Sequence, residues 1–132
     1  MTEPSLPEVP FGAWPSPITA ARLVEGAASV AEVRADGADV WWSEARPSEG
    51  GRTQLVRRTA GGTCHDVLPA WDPDGPAWNV RTAVQEYGGG AWAVRDGTVV
   101  FARWADQRLY RLDPGTDAVE ALVGPAGEDD RP

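Results

Sequence analysis

Cys64 and His65 are the only cysteine and the only histidine in the chain, and they stand side by side in a stretch of strand-like pattern. A lone cysteine forms no intrachain disulfide and belongs to no CxxC pair, so its plain reading is a small buried or half-buried side chain. A lone histidine removes any multi-histidine metal site and leaves one candidate general base, with no activated nucleophile and orienting partner around it. The chain has no G-x-S-x-G elbow and no lysine, which excludes a P-loop lysine and a Schiff-base lysine together. No catalytic residue, metal or cofactor is therefore expected. The residues better suited to binding are Glu86 and Tyr87, presented just before the bend that Gly88-Gly89-Gly90 imposes, and Trp78 in a proline-rich loop with Trp71. A carboxylate at such a bend could hold a peptide amino terminus, or it could pair with Arg81 or cap the bend. Loop tryptophans serve either as ligand platforms or as lids over a core edge.

Charge narrows the partners. The 132-residue chain carries a net charge of −8, and its arginines are scattered among acids. No basic stripe is available for a phosphate backbone, so nucleic acid is not an expected partner. No apolar run is long enough to span a membrane, and none is expected. The start, Met1 to Glu8, is acidic and proline-rich, unlike a secretory signal, so a cytoplasmic location is expected.

The elements that must position these residues read mostly as strands. Residues 1–15 carry prolines at 4, 7, 10 and 15 and form an extended arm with Phe11 and Trp14 as apolar anchors. Ser16 to Gly26 reads as a short helix with Ser16 as N-cap, Pro17 in the first position and Gly26 at the end. From Ala28 the period becomes two, with Val30, Glu32 and Arg34 alternating against Ser29, Ala31 and Val33. Asp36-Gly37 turns the chain into Asp39–Ala45, Thr53–Arg58 forms a third strand, and Cys64–Leu68 a short fourth. Pro69 to Trp78 is a loop. A second set follows in Ala91–Arg95, Thr98–Trp104, Gln107–Leu112 and Ala118–Val123. The boundaries are 1–26 for arm and helix, 27–69 for the first meander, 70–89 for the connecting loop with its EYGGG motif, 90–123 for the second meander and 124–132 for an acidic tail.

The two sets repeat each other. Val33 to Trp42 matches Val94 to Phe101, and Arg52-Thr53-Gln54-Leu55-Val56-Arg57 matches Asp106-Gln107-Arg108-Leu109-Tyr110-Arg111. A four-stranded antiparallel meander of about forty residues is the unit of a β-propeller blade. Trp41 beside Trp42, and Val99-Val100-Phe101, fit strands buried on both faces. The expected fold is all-β: about two four-stranded antiparallel blades of an incomplete β-propeller, with a short N-terminal helix. A single sandwich or barrel whose strands share turn chemistry is the alternative. Two blades close no ring, so apolar faces and strand edges should be left open unless something covers them.

Several ordered motifs carry a family resemblance: Phe11-Gly12-Ala13-Trp14-Pro15-Ser16-Pro17-Ile18-Thr19, Asp39 to Pro47, Glu49-Gly50-Gly51-Arg52, Asn79-Val80-Arg81-Thr82, Glu86-Tyr87-Gly88-Gly89-Gly90 and Ala105 to Tyr110. From about residue 10 to residue 123 the chain resembles the amino-terminal part of bacterial serine peptidases of the prolyl oligopeptidase family, near the acylaminoacyl-peptidase and dipeptidyl-peptidase-like branch. It departs from the family pattern at Gln85, where histidine is usual, and at Trp92, where tyrosine is usual. The resemblance implies a propeller set over a carboxy-terminal α/β-hydrolase domain and restricting access to short peptides. The partners it implies are the missing blades, that hydrolase domain and short peptides. The chain is then a substrate-gating propeller fragment, not catalytic by itself. A different class of function is an independent β-module that binds a peptide or glycan through Trp71, Trp78, Glu86 and Tyr87. A truncated gene product with no separate function is a third.

Overall fold

A computed structural model describes residues 10, 12, 13, 15–84, 90–113, 115, 116 and 118–122, with Val24 described in its backbone alone. Among these residues, strands β1 (Ser29–Asp36), β2 (Asp39–Arg46), β3 (Arg52–Arg58) and β4 (Cys64–Asp66) form one antiparallel sheet in chain order. Strands β5 (Trp92–Arg95), β6 (Thr98–Ala102), β7 (Leu109–Asp113) and β8 (Ala118–Ala121) form a second. Neither sheet closes into a barrel. Each is a blade-like meander, and the two lie face to face over one core.

The ladders put the repeat in register. Val40 pairs with Arg58 and Val56 with Asp66 in the first sheet, while Val99 pairs with Leu112 and Tyr110 with Ala121 in the second. Val40, Trp41 and Trp42 thus correspond to Val99, Val100 and Phe101, and Leu55 to Leu109, as the sequence match requires. The β1–β2 and β5–β6 turns differ by one residue in where they place Asp-Gly. Gly37 takes a positive φ of 60° after Asp36, whereas Asp96 and Gly97 both do, at 50° and 77°. Two positive φ values in a two-residue loop suit the right-handed twist of a hairpin, and aspartate tolerates the first.

Alternation along β1 does not run straight. Ala31 pairs with Ser43 but Arg34 with Trp41, so Glu32 and Val33 share one opposing position in a bulge, with Glu32 at φ 49°. The extra residue brings Arg34 onto the face that carries Ser29 and Ala31. There its guanidinium lies 4.9 Å from the ring centre of Trp92, a cation–π contact between the blades.

The core sits between the sheets. Trp41 and Leu55 from the first blade meet Trp92, Val99, Phe101 and Leu112 from the second, joined by Val67, Leu68, Val80 and Ala91, all buried. Burial of such side chains contributes about 1.5–3 kcal/mol each. The indole N–H groups of Trp41 and Trp92 are buried in this layer without an acceptor among the described residues. A guanidinium covers each ring instead, Arg57 at 5.1 Å from Trp41 as Arg34 covers Trp92.

Polar ties fix how the blades sit. The Asp36 carboxylate accepts the N–H groups of Asp96 at 2.9 Å and Gly97 at 2.7 Å, so one hairpin turn clamps the other. Beyond β4 the chain keeps one more backbone bond to β3, Val67 N–H donating to the Leu55 carbonyl at 2.9 Å, and the Val67 and Leu68 side chains are buried in the core; the expected strand to Leu68 ends at Asp66. Buried Gln54 holds that exit, its Oε1 accepting from Leu68 N–H and its Nε2 donating to Leu68 C=O. Asn79 then bridges the sheets: its Oδ1 accepts from Thr53 N–H and its C=O from Trp104 N–H.

Two further expectations shift. The helix α1 is only Ala20–Val24, capped by Thr19, whose hydroxyl accepts Arg22 N–H at 3.1 Å; Ser16 instead bonds to Ile18. Cys64 is exposed, not buried, because β4 is the edge strand of its sheet. Between β2 and β3 the chain makes a 3-10 turn at Pro47–Glu49. Phe11 and Trp14, the expected anchors of the arm, lie outside the described residues.

Candidate binding cleft between the blades

Where β1 and β5, the first strands of the two blades, approach each other, a cleft of about 380 Å³ opens. Ser29, Ala31, Ser43, Ala45 and Thr53 form one wall, and Val80, Arg81, Thr82, Ala91 and Trp92 the other, with Glu32 of the bulge at the rim. Small residues on the first blade leave the room. The polar groups are hydroxyls, one carboxylate and one guanidinium, a set that hydrogen-bonds and carries no nucleophile-and-base pair. Ser43 already donates to the Ala31 carbonyl at 2.9 Å, and the Thr82 hydroxyl accepts Val84 N–H.

The expected binding residues divide. Glu86 and Tyr87 fall outside the described residues, next to Val84 and Gly90, which are described. Trp78 is half-buried: its ring stands edge-on to Phe101 at 6.3 Å and to Tyr110 at 5.4 Å, and Arg103 lies 4.7 Å from its centre. It therefore packs over the edge of the core. Trp71 is 38% exposed and lies against Gly50, where an added Cβ would stand 2.7 Å from the ring. Gly50 also has a φ of +66°, so the position takes no side chain without strain. Arg81, considered as a partner for Glu86, stacks over Trp104 at 4.5 Å. His65 is exposed on β4, directly across from Arg57, which is itself bonded to Asp39. Sequence reasoning singled out neither the bulge at Glu32 nor the hydroxyl wall. A bulge adds one residue to a strand without changing its composition, so only the broken alternation could have marked it.

On the far face of the first blade, Arg46 joins Glu44, Glu49 and Asp66, and Arg52 joins Glu49 at 2.6 Å. The hydrogen bonds from Arg46 hold the Asp66 carboxyl below its ordinary range against the opposing effect of burial, and the bond from Arg57 does the same for Asp39. Both groups have a depressed folded pKa, so their stabilisation is present above the unfolded carboxylate value near pH 4 and is lost as pH falls through the folded one. The melting temperature should accordingly hold between pH 5 and 7 and drop below about pH 4. Asp66→Asn should flatten part of that drop, with a loss of about 0.5–1 kcal/mol at pH 7 because the side chain is half exposed. Thermal melts of both proteins over pH 2.5–7 check this.

The class of protein this architecture defines is a β-propeller, represented by two adjoining blades. In solved structures the same arrangement occurs in a puromycin-hydrolysing peptidase of Mycobacterium tuberculosis, at 40% identity and a TM-score of 0.72 over 89% of this chain. Puromycin hydrolase matches at 43% identity and a TM-score of 0.70 over 91% of the chain. A serine-to-alanine mutant of puromycin hydrolase complexed with PGG matches at 41% and 0.75 over 90%. By these matches the chain is similar to the amino-terminal propeller part of peptidases of the prolyl oligopeptidase family. It spans 18% of the length of each of these peptidases. No protein-family model matches the chain. No curated protein matches it either. Among the described residues no helix is long and apolar enough to cross a membrane.

Proposed function

We propose that this chain is a substrate-gating portion of a serine peptidase acting on short peptides, with no hydrolytic activity of its own. The observation that carries this reading is the pairing of identities of 40–43% with a match to 18% of each peptidase. The chain's sequence holds no G-x-S-x-G elbow, and the cleft between the blades holds hydroxyls and charges that bind but do not attack. In this role the propeller contributes walls and polar anchors, and the nucleophile comes from an α/β-hydrolase domain. Further blades and that domain are the partners, and short peptides the ligands. Glu86, Tyr87 and Trp78 contribute to peptide binding. A cytoplasmic location belongs to the same proposal.

The test is a chimera in which residues 10–122 replace the matching stretch of puromycin hydrolase. The chimera should hydrolyse puromycin and short peptide amides with an altered preference for substrate length, while the chain alone hydrolyses neither. Hydrolysis by the isolated chain, or a chimera with unaltered length preference, would contradict the proposal.

A further inference from the structure

In the first blade Arg52 and Arg57 are spent on carboxylates at close range, Arg52 on Glu49 at 2.6 Å and Arg57 on Asp39 at 2.8 Å. Arg34 is not. Its one polar contact among the described residues is to Glu32 at 3.5 Å, the limit of a hydrogen bond, and its side chain stays 41% exposed. What holds it is the Trp92 ring, whose centre lies 4.9 Å from the guanidinium carbon. Stacking uses the face of a guanidinium and leaves its in-plane N–H donors free, the arrangement that takes a carboxylate on two parallel bonds. The bulge at Glu32 and Val33 puts the group there, and bulges recur where a strand must re-aim a side chain beside a site.

Arg34 stands at the mouth of the inter-blade cleft, since both residues it touches, Glu32 and Trp92, line that cleft. Its volume of about 380 Å³ falls at the small end of ligand pockets, about 300–1,000 Å³, and suits a few residues of peptide. Within it the Thr82 hydroxyl accepts Val84 N–H and keeps its own proton for a backbone carbonyl of the ligand. Blades radiate from the axis of a propeller, and β1 and β5 make the closest approach between the two sheets, so this mouth stays open to the channel when further blades are added.

We infer that Arg34 is a binding residue for the free carboxylate at the end of a short peptide, whose backbone enters the cleft. This rests on the short-peptide reading above and adds which end of the peptide is recognised. Glu32 is paired with Arg34, so an amino terminus finds no carboxylate of its own there. The net charge of −8 opposes ligands with many negative charges, which favours a single carboxylate over a polyphosphate or a nucleic acid.

Titration of the nitrogen-labelled 132-residue chain with acetyl-trialanine, and with the same peptide amidated at its carboxy end, tests it through the Arg34 Nε–H and Trp92 indole N–H resonances. The free acid should bind at least about tenfold tighter than the amide at low ionic strength, with the difference shrinking as salt is raised. Arg34→Met keeps an apolar stem over Trp92 and removes the charge, so it should abolish that difference. Because this change also loosens a contact between the blades, Glu32→Gln serves as the second variant. It leaves Arg34 in place without its competing carboxylate, and the acid should bind as well as to wild type or better. Equal binding of acid and amide, no response of either resonance, or a preference for the acid that survives Arg34→Met overturns the inference. So does weaker binding of the acid by Glu32→Gln. A chimera that hydrolyses peptides with altered length preference, while the chain shows no preference for the acid, removes this inference and leaves the gating reading standing.

Discussion

Phe101→Ala is expected to destabilise the chain by about 3–5 kcal/mol, the range for removing a fully buried aromatic side chain. The ring has no exposed surface and lies where three elements meet: the inner face of β6, the Tyr110 ring stacked at 5.9 Å, and Trp78 from the connecting loop. Alanine there leaves a cavity walled by both blades. Neither can close it without breaking the hydrogen bonds that Asn79 and Asp36 make across the junction. Because domains of this size are stable by only about 5–15 kcal/mol, the loss should lower Tm by roughly 10–20 °C. Unfolding in urea, followed by tryptophan fluorescence, measures it. A change within about 1 kcal/mol would mean that the second blade does not depend on this packing.

Arg52→Ala should cost a comparable amount, about 3–5 kcal/mol, by a different route. Arg52 is buried, its Nε donating to Glu49 at 2.6 Å and its Nη1 to the carbonyls of Pro69 and Trp78. It ties the 3-10 turn to both ends of the connecting loop. Its removal leaves two carbonyls short of a donor and Glu49 beside Glu44, with only Arg46 to serve both. If the cost comes from the abandoned charge, Glu49→Gln combined with Arg52→Met should recover at least about 1 kcal/mol relative to Arg52→Ala. No recovery would assign the cost to the loop carbonyls.

Much of this architecture was legible in the sequence. Turn dipeptides at Asp36-Gly37 and Asp96-Gly97 and two-sided apolar strands at Trp41-Trp42 and Val99–Phe101 specify a repeated meander, because local chemistry decides hairpins. The pairing of Leu55 with Leu109 follows from the same repeat. What escaped was set by contacts between distant segments. Val67 and Leu68 read as strand, yet β4 ends at Asp66: both side chains are buried in the inter-blade core, Val67 N–H still donates to the Leu55 carbonyl, and the Gln54 side chain takes both backbone groups of Leu68. The bulge at Glu32 exists so that Arg34 can reach Trp92, a partner some sixty residues away that no local pattern announces. Thr19 displaces Ser16 as the helix cap because Ser16 bonds to Ile18, and both residue types are competent caps. For the candidate site the sequence offered Trp78 either as a ligand platform or as a lid over a core edge, and its ring lies edge-on to Phe101 and Tyr110. The cleft itself was not marked, since serines, threonines and alanines on alternate strand positions carry no signature until two sheets face each other.

The central claim is that the two meanders are successive blades sharing one buried face. A double-mutant cycle of Leu55→Ala and Phe101→Ala, with all four proteins unfolded in urea, tests it most directly. Two blades with a common core predict a single transition and a combined cost that departs from the sum of the single costs by more than about 0.5 kcal/mol. Strict additivity, with the two sheets melting in separate transitions, would contradict it.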